Sequence, residues 1–142
     1  MRPLQPGLPL ALTILATVPG SAQNARMEAD ALLQRGIAAM QQGEARGSLD
    51  YFLRAQSMYR QRGDRREEAV TLRYLGSAYK DLGEKVKAVD CFAKALALLH
   101  GLGDKAREAS MLNTLATAWS GLGEPAKALA CYQESLAIQH AL

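Results

Sequence analysis

Two cysteines and two histidines are all the chain holds of those ligand types, and no apolar run approaches the length of a bilayer span. Cys91 and His100, like Cys131 and His140, stand nine residues apart. On one helix that spacing separates them by about 13 Å, far beyond a shared metal with bonds near 2 Å. No serine sits in a nucleophile elbow, and no glycine-rich phosphate loop follows a strand. Carboxylates are scattered rather than paired, and acid–base chemistry lacks a candidate. The expectation is a protein with no catalytic residues, metal or cofactor.

The longest apolar stretch, "LPLALTILATV" from Leu8 to Val18, has 11 residues and is interrupted by Pro9. A membrane helix needs about 20. Arg2 lies before the run, and Gly20 and Ala22 follow at the spacing a signal peptidase reads. Residues 1–22 are therefore expected to be a cleaved signal peptide and residues 23–142 the mature chain, exported to a periplasm or secreted. Bacteria are the favoured source, and no membrane span is expected after the leader is removed. Without Arg2 the chain has 16 basic and 14 acidic side chains. That balance argues against nucleic acid, which calls for a concentrated basic face.

What the sequence does contain is a ruler. Gly43, Gly63, Gly83, Gly103 and Gly123 recur every 20 residues. Between them apolar residues fall at three- and four-residue spacing, as in Leu72, Leu75, Tyr79 and in Leu112, Leu115, Trp119, which predicts helices throughout. At a shift of 40 residues, "LRYLGSAYKDLGEKVKAVDCFAKAL" from Leu72 aligns without gaps on "LNTLATAWSGLGEPAKALACYQESL" from Leu112. A weaker first copy keeps Leu32, Gly36, Gly43, Phe52 and Ala55. It has Arg35 and Gln56 where the others have leucine. Terminal repeats are often atypical in this way.

Leu72, Leu75, Gly76, Tyr79, Ala88, Phe92 and Ala95 follow, in order, the motif of tetratricopeptide repeats, and the chain resembles a 40-residue, long-helix variety of that family. Leu72 and His100 replace the motif's tryptophan and proline. In the next copy Ala116 replaces its glycine and Ser135 its last alanine. The resemblance covers about residues 28–142 and implies an all-α fold, a right-handed α-solenoid of three helix-turn-helix hairpins (about residues 25–62, 64–102 and 104–142). Each hairpin would pair two helices of about 17 residues, or about 25 Å. Small Gly76, Ala88, Ala95, Ala116 and Ala128 would let the helices approach, with Phe92, Trp119 and Tyr132 filling the space between. Cys91 and Cys131, on helices stacked about 8 to 10 Å apart, would be too distant for a disulfide.

The triplet Arg62, Gly63, Asp64 matches a cell-adhesion signal, but Gly103 and Asp104 repeat its last two residues 40 positions later. It reads as a turn, with Gly63 closing one helix and Asp64 capping the next by accepting backbone hydrogen bonds. Arg60, Arg62, Arg65 and Arg66 around it read as a solvated loop, with a small anion-attracting patch as the alternative.

By the same resemblance, the first helix of each hairpin lines a concave groove that receives a protein or peptide partner. The lining would be Leu33, Ile37 and Met40, then Arg73, Ser77 and Lys80, then Asn113, Thr117 and Ser120. Arg73 and Lys80, two turns apart on one face, suit an acidic side chain or a C-terminal carboxylate. Asn113 offers a donor and an acceptor to a peptide backbone. The expected function is an exported adaptor or scaffold. One alternative is a self-assembling structural protein, a homo-oligomer formed through an apolar C-terminal end at Leu136, Ile138 and Leu142. Another is a shortened repeat portion of a caspase-like protease system, whose repeats share the Gly-Asp turns.

Overall fold

Each glycine of the ruler ends a helix. A computed structural model of the chain describes residues 8–142, with side chains from residue 21 onward. Six helices follow one another: α1 (Leu8–Gln41), α2 (Ala45–Arg62), α3 (Arg65–Asp81), α4 (Lys85–Gly101), α5 (Lys105–Gly121) and α6 (Pro125–Ala141). Among the described residues there is no strand. Helices α3 to α6 have 17 residues each, α2 has 18 and α1 has 34. The expected leader falls on residues 1–7, which lie outside the described residues, and on a stretch described mainly by its backbone, which belongs to α1.

Gly83 shows why the turn takes glycine. Its φ of 78° lies in the left-handed region, where a Cβ is costly. Gly83 N–H donates to the Lys80 carbonyl at 3.0 Å and Glu84 N–H to the Tyr79 carbonyl at 2.9 Å, satisfying two carbonyls that the helix end leaves free. The other four ruler glycines also have φ between 68° and 78°.

The helices pair as α1/α2, α3/α4 and α5/α6, and each hairpin packs on the next through α2 against α3 and α4 against α5. Among the first helices, α1 also reaches α3, so these two lie on one side of the stack. Phe52 and Phe92 are buried over Gly36 and Gly76, where the absence of side chains lets the rings lie against helix backbone. Ser135, which stands in for an alanine, is buried at no polar cost because its hydroxyl donates to the Ala109 carbonyl at 2.9 Å.

Three expectations are corrected. Tyr132 does not fill the core: it is 43% exposed, whereas its counterpart Phe92 is 1% exposed. Ala116 stands where the other copies have glycine. Its Cβ takes the space the ring would need, and the Tyr132 hydroxyl instead meets Thr117 Oγ1 at 3.3 Å. Asp64 does not cap α3 with its side chain. Its carboxylate pairs with Arg62 Nε at 2.9 Å and Arg26 Nη1 at 3.6 Å, whereas Asp104 does accept the Arg107 backbone N–H. Arg62 and Asp64 thus neutralise each other within the triplet. Leu33 is buried in the core rather than lining a groove, because the first helix turns that position inward against its neighbours.

Candidate functional site

The other sequence-predicted site residues lie on the first helices of the hairpins, α1, α3 and α5. Arg73 and Lys80 are exposed, and neither is engaged by a carboxylate among the described residues. The Arg73 guanidinium lies over the Tyr74 ring at 4.5 Å, a contact that restricts it while leaving its N–H groups available. Ser77 is half-buried, and its hydroxyl donates to the Arg73 carbonyl at 3.1 Å. Thr117 is exposed and does the same toward the Asn113 carbonyl at 3.1 Å. The Ser77 hydroxyl therefore faces a partner as an acceptor, since its proton is used within the helix, whereas Thr117 Oγ1 also meets the Tyr132 hydroxyl at 3.3 Å. Asn113 is half-buried and Ser120 exposed. Ile37 and Met40 are half-buried and pack against the core, leaving only part of their apolar surface to a groove.

Arg73 also belongs to a cleft of about 240 Å³ between α3 and α5, which Arg107, Val70 and Ser110 share. The last three escaped the sequence reading. Arg107 was hidden by its place beside the turn, where it looked like an ordinary charge of a helix start. In the fold it pairs with Asp104 Oδ2 at 2.7 Å and sits across from Arg73. Asp104 already takes Arg107, so the positive potential that this stretch offers a carboxylate rests mainly on Arg73.

The titratable groups elsewhere are structural. His100 Nδ1–H donates to Glu108 Oε1 at 2.9 Å, and Lys105 Nζ reaches Oε2 at 3.0 Å. The His100 bond, reinforced by Lys105, holds the Glu108 carboxyl below its ordinary value although burial opposes it. Cys91 is buried and its thiol is pushed up to about 11 by burial; Cys131 is half-buried and also raised by burial; both are free thiols. Burial, together with its hydrogen bond to Asp30, raises Tyr59. Among the described residues no three metal-ligating side chains gather, and no helix is long and apolar enough to cross a membrane.

A tetratricopeptide repeat model matches residues 27–100, more than half of the sequence. The chain belongs to the tetratricopeptide repeat family. A second repeat model of the family matches residues 109–142. The repeat chain is similar in structure to the TPR domain of Arabidopsis FLU, with TM-score 0.76 and 19% identity over 83% of this chain and 99% of that one. It is also similar to BtubC from P. vanneervenii, with TM-score 0.75 and 19% identity over 80% of this chain, which spans 47% of that protein. At these identities the likeness shows the fold: an all-α helical repeat solenoid. No curated protein sequence matches the chain. Tetratricopeptide repeats are in general non-catalytic scaffolds that mediate protein–protein interaction.

Proposed function

We propose that this repeat protein is an exported, non-enzymatic adaptor that holds a peptide segment of a partner along its inner face. The observation that carries the reading is that Arg73 and Lys80, two turns apart on α3, stand exposed without a carboxylate partner, with Arg107 across the cleft. Such a row suits acidic side chains or a terminal carboxylate, while Asn113 on α5 supplies the paired donor and acceptor that a peptide backbone uses. Three first helices about 10 Å apart give a trough of about 20 Å, enough for about six extended residues. Export rests on the Arg2, Leu8–Val18 and Gly20–Ala22 pattern, and a mature N-terminus at Gln23 is its direct check.

The test is capture from the exported fraction by the wild-type chain beside a folded Arg73→Ala, Lys80→Ala, Asn113→Ala variant. A partner held by the first and lost by the second supports the groove; equal capture by both removes it.

Self-assembly is the second reading, and one observation favours it. Leu129 and Leu136 on α6 are 56% and 55% exposed, whereas Val89, the counterpart of Leu129 on α4, is 7% exposed beneath the next hairpin. Sedimentation over a wide concentration range separates a monomer from an assembling chain.

A further inference from the structure

On the side of the stack away from the first-helix face, α2 and α4 splay over α3 and leave a cleft of about 690 Å³. That volume lies within the range of about 300–1,000 Å³ typical of small-molecule sites. Its floor is apolar: Leu72 and Leu75 of α3 with Cys91 of α4, all buried from bulk solvent, and Leu53 and Leu98 on the walls. From Glu68 to Tyr79 the floor runs 11 residues, about 16 Å of helix.

The charges around the cleft are not balanced. Lys94 is matched by Asp90 at 2.9 Å, and Lys87, over the Tyr79 ring at 5.6 Å, reaches only Glu84 at 4.0 Å. Glu68, the second acid, is buried and accepts from Gln56 Nε2 at 3.0 Å. Arg60 and Arg65 stand at the same end of the cleft as Glu68, exposed and with no carboxylate in ion-pair range among the described residues.

The next junction of the stack shows what these positions do when occupied. Forty residues on, Arg60, Arg65 and Glu68 correspond to His100, Lys105 and Glu108. There the histidine and the lysine both hold the carboxylate, at 2.9 Å and 3.0 Å. At the first junction a neutral amide satisfies the buried glutamate instead, and both arginines are left for something else. With Lys94 matched by Asp90 and Lys87 near Glu84, the two arginines left without a carboxylate make this end of the cleft attractive to an anion, and the apolar floor favours one attached to a hydrocarbon chain.

We propose that this cleft binds a free long-chain carboxylate, a fatty acid of about ten to twelve carbons, with its headgroup between Arg60 and Arg65 and its tail along Leu72, Leu75 and Cys91. The site is separate from the peptide-binding face on α1, α3 and α5.

Titration calorimetry of the full chain with dodecanoate, kept below its micelle concentration, tests the site, with circular dichroism to verify that helicity is retained. One equivalent is expected to bind saturably, and Arg60→Gln, Arg65→Gln to weaken it at least tenfold. Dodecanol, with the same tail and no charge, is expected to bind more weakly and equally to both proteins; acetate is expected to give no saturable heat. Ala97 is exposed at the cleft wall, so Ala97→Phe fills the space without touching the core and abolishes dodecanoate binding. Arg73→Ala, Lys80→Ala, which disables only the inner face, leaves it unchanged. No saturable dodecanoate binding, equal affinity in the double arginine variant, or dodecanol as tight as dodecanoate each overturns the proposal.

Discussion

A Cβ built on Gly76 would stand 2.6 Å from Cε1 of Phe92, so the glycine and the ring share one space. Gly36 and Phe52 repeat the relationship. Because Phe92 is enclosed on all sides, it has no room to yield. Gly76→Ala is therefore expected to cost about 1–3 kcal/mol of stability despite the better helix propensity of alanine. Urea unfolding of wild type and variant measures it, and a neutral or stabilising result would show that the ring can move aside.

The same pair shows how far the fold could be read in advance. The 20-residue glycine spacing and the 40-residue alignment were enough for six helices in three hairpins, because turn chemistry and apolar periodicity are local and repeat. The displacement of Tyr132 was not legible, since it depends on one methyl of Ala116 packing against another helix. Asp64 looked identical to Asp104 along the chain, yet Arg26 and Arg62 draw its carboxylate away from the helix end. Arg60 and Arg65 at the first junction stand in the sequence among four arginines that read as a solvated loop, with an anion-attracting patch as the alternative. They become distinctive only once Gln56 is seen to satisfy Glu68.

The pH dependence should have a clear sign at Glu108. Hydrogen bonding from His100, then Lys105, lowers its carboxyl in the folded chain. A depressed carboxylate contributes stability that is fully present above the ordinary glutamate range, about 4.3, and is lost as pH falls through the lower folded value. Glu108→Gln is expected to lower the melting temperature above the ordinary glutamate range and progressively less as pH falls below it. Thermal unfolding of both proteins from about pH 5 downward checks this, and a deficit that grew over that range would contradict it.

The two thiols should differ in reactivity. Cys91 is buried with its thiol raised to about 11, whereas Cys131 on α6 is only half-buried. Reaction needs both the thiolate and access, so Cys131 is expected to be labelled at least about tenfold faster. Aromatic disulfide reagents applied to Cys91→Ser and Cys131→Ser variants assign the two rates separately.

The two ends of the stack should respond unequally to apolar truncation. Phe92 is buried inside the middle hairpin over Gly76, and Phe92→Ala is expected to cost about 3–5 kcal/mol. Leu129 and Leu136 keep more than half of their surface in water, so Leu129→Ala or Leu136→Ala should cost under about 1 kcal/mol in the isolated chain. At the opposite end the exposed positions equivalent to Glu68, Thr71 and Leu75 are Glu28, Ala31 and Arg35. Leu129 and Leu136 make α6 the candidate contact for an assembling chain. Sedimentation of Leu129→Glu, Leu136→Glu beside wild type decides the matter. Loss of a wild-type oligomer in the variant assigns the contact to α6, while an oligomer that survives both charges places it elsewhere on the solenoid.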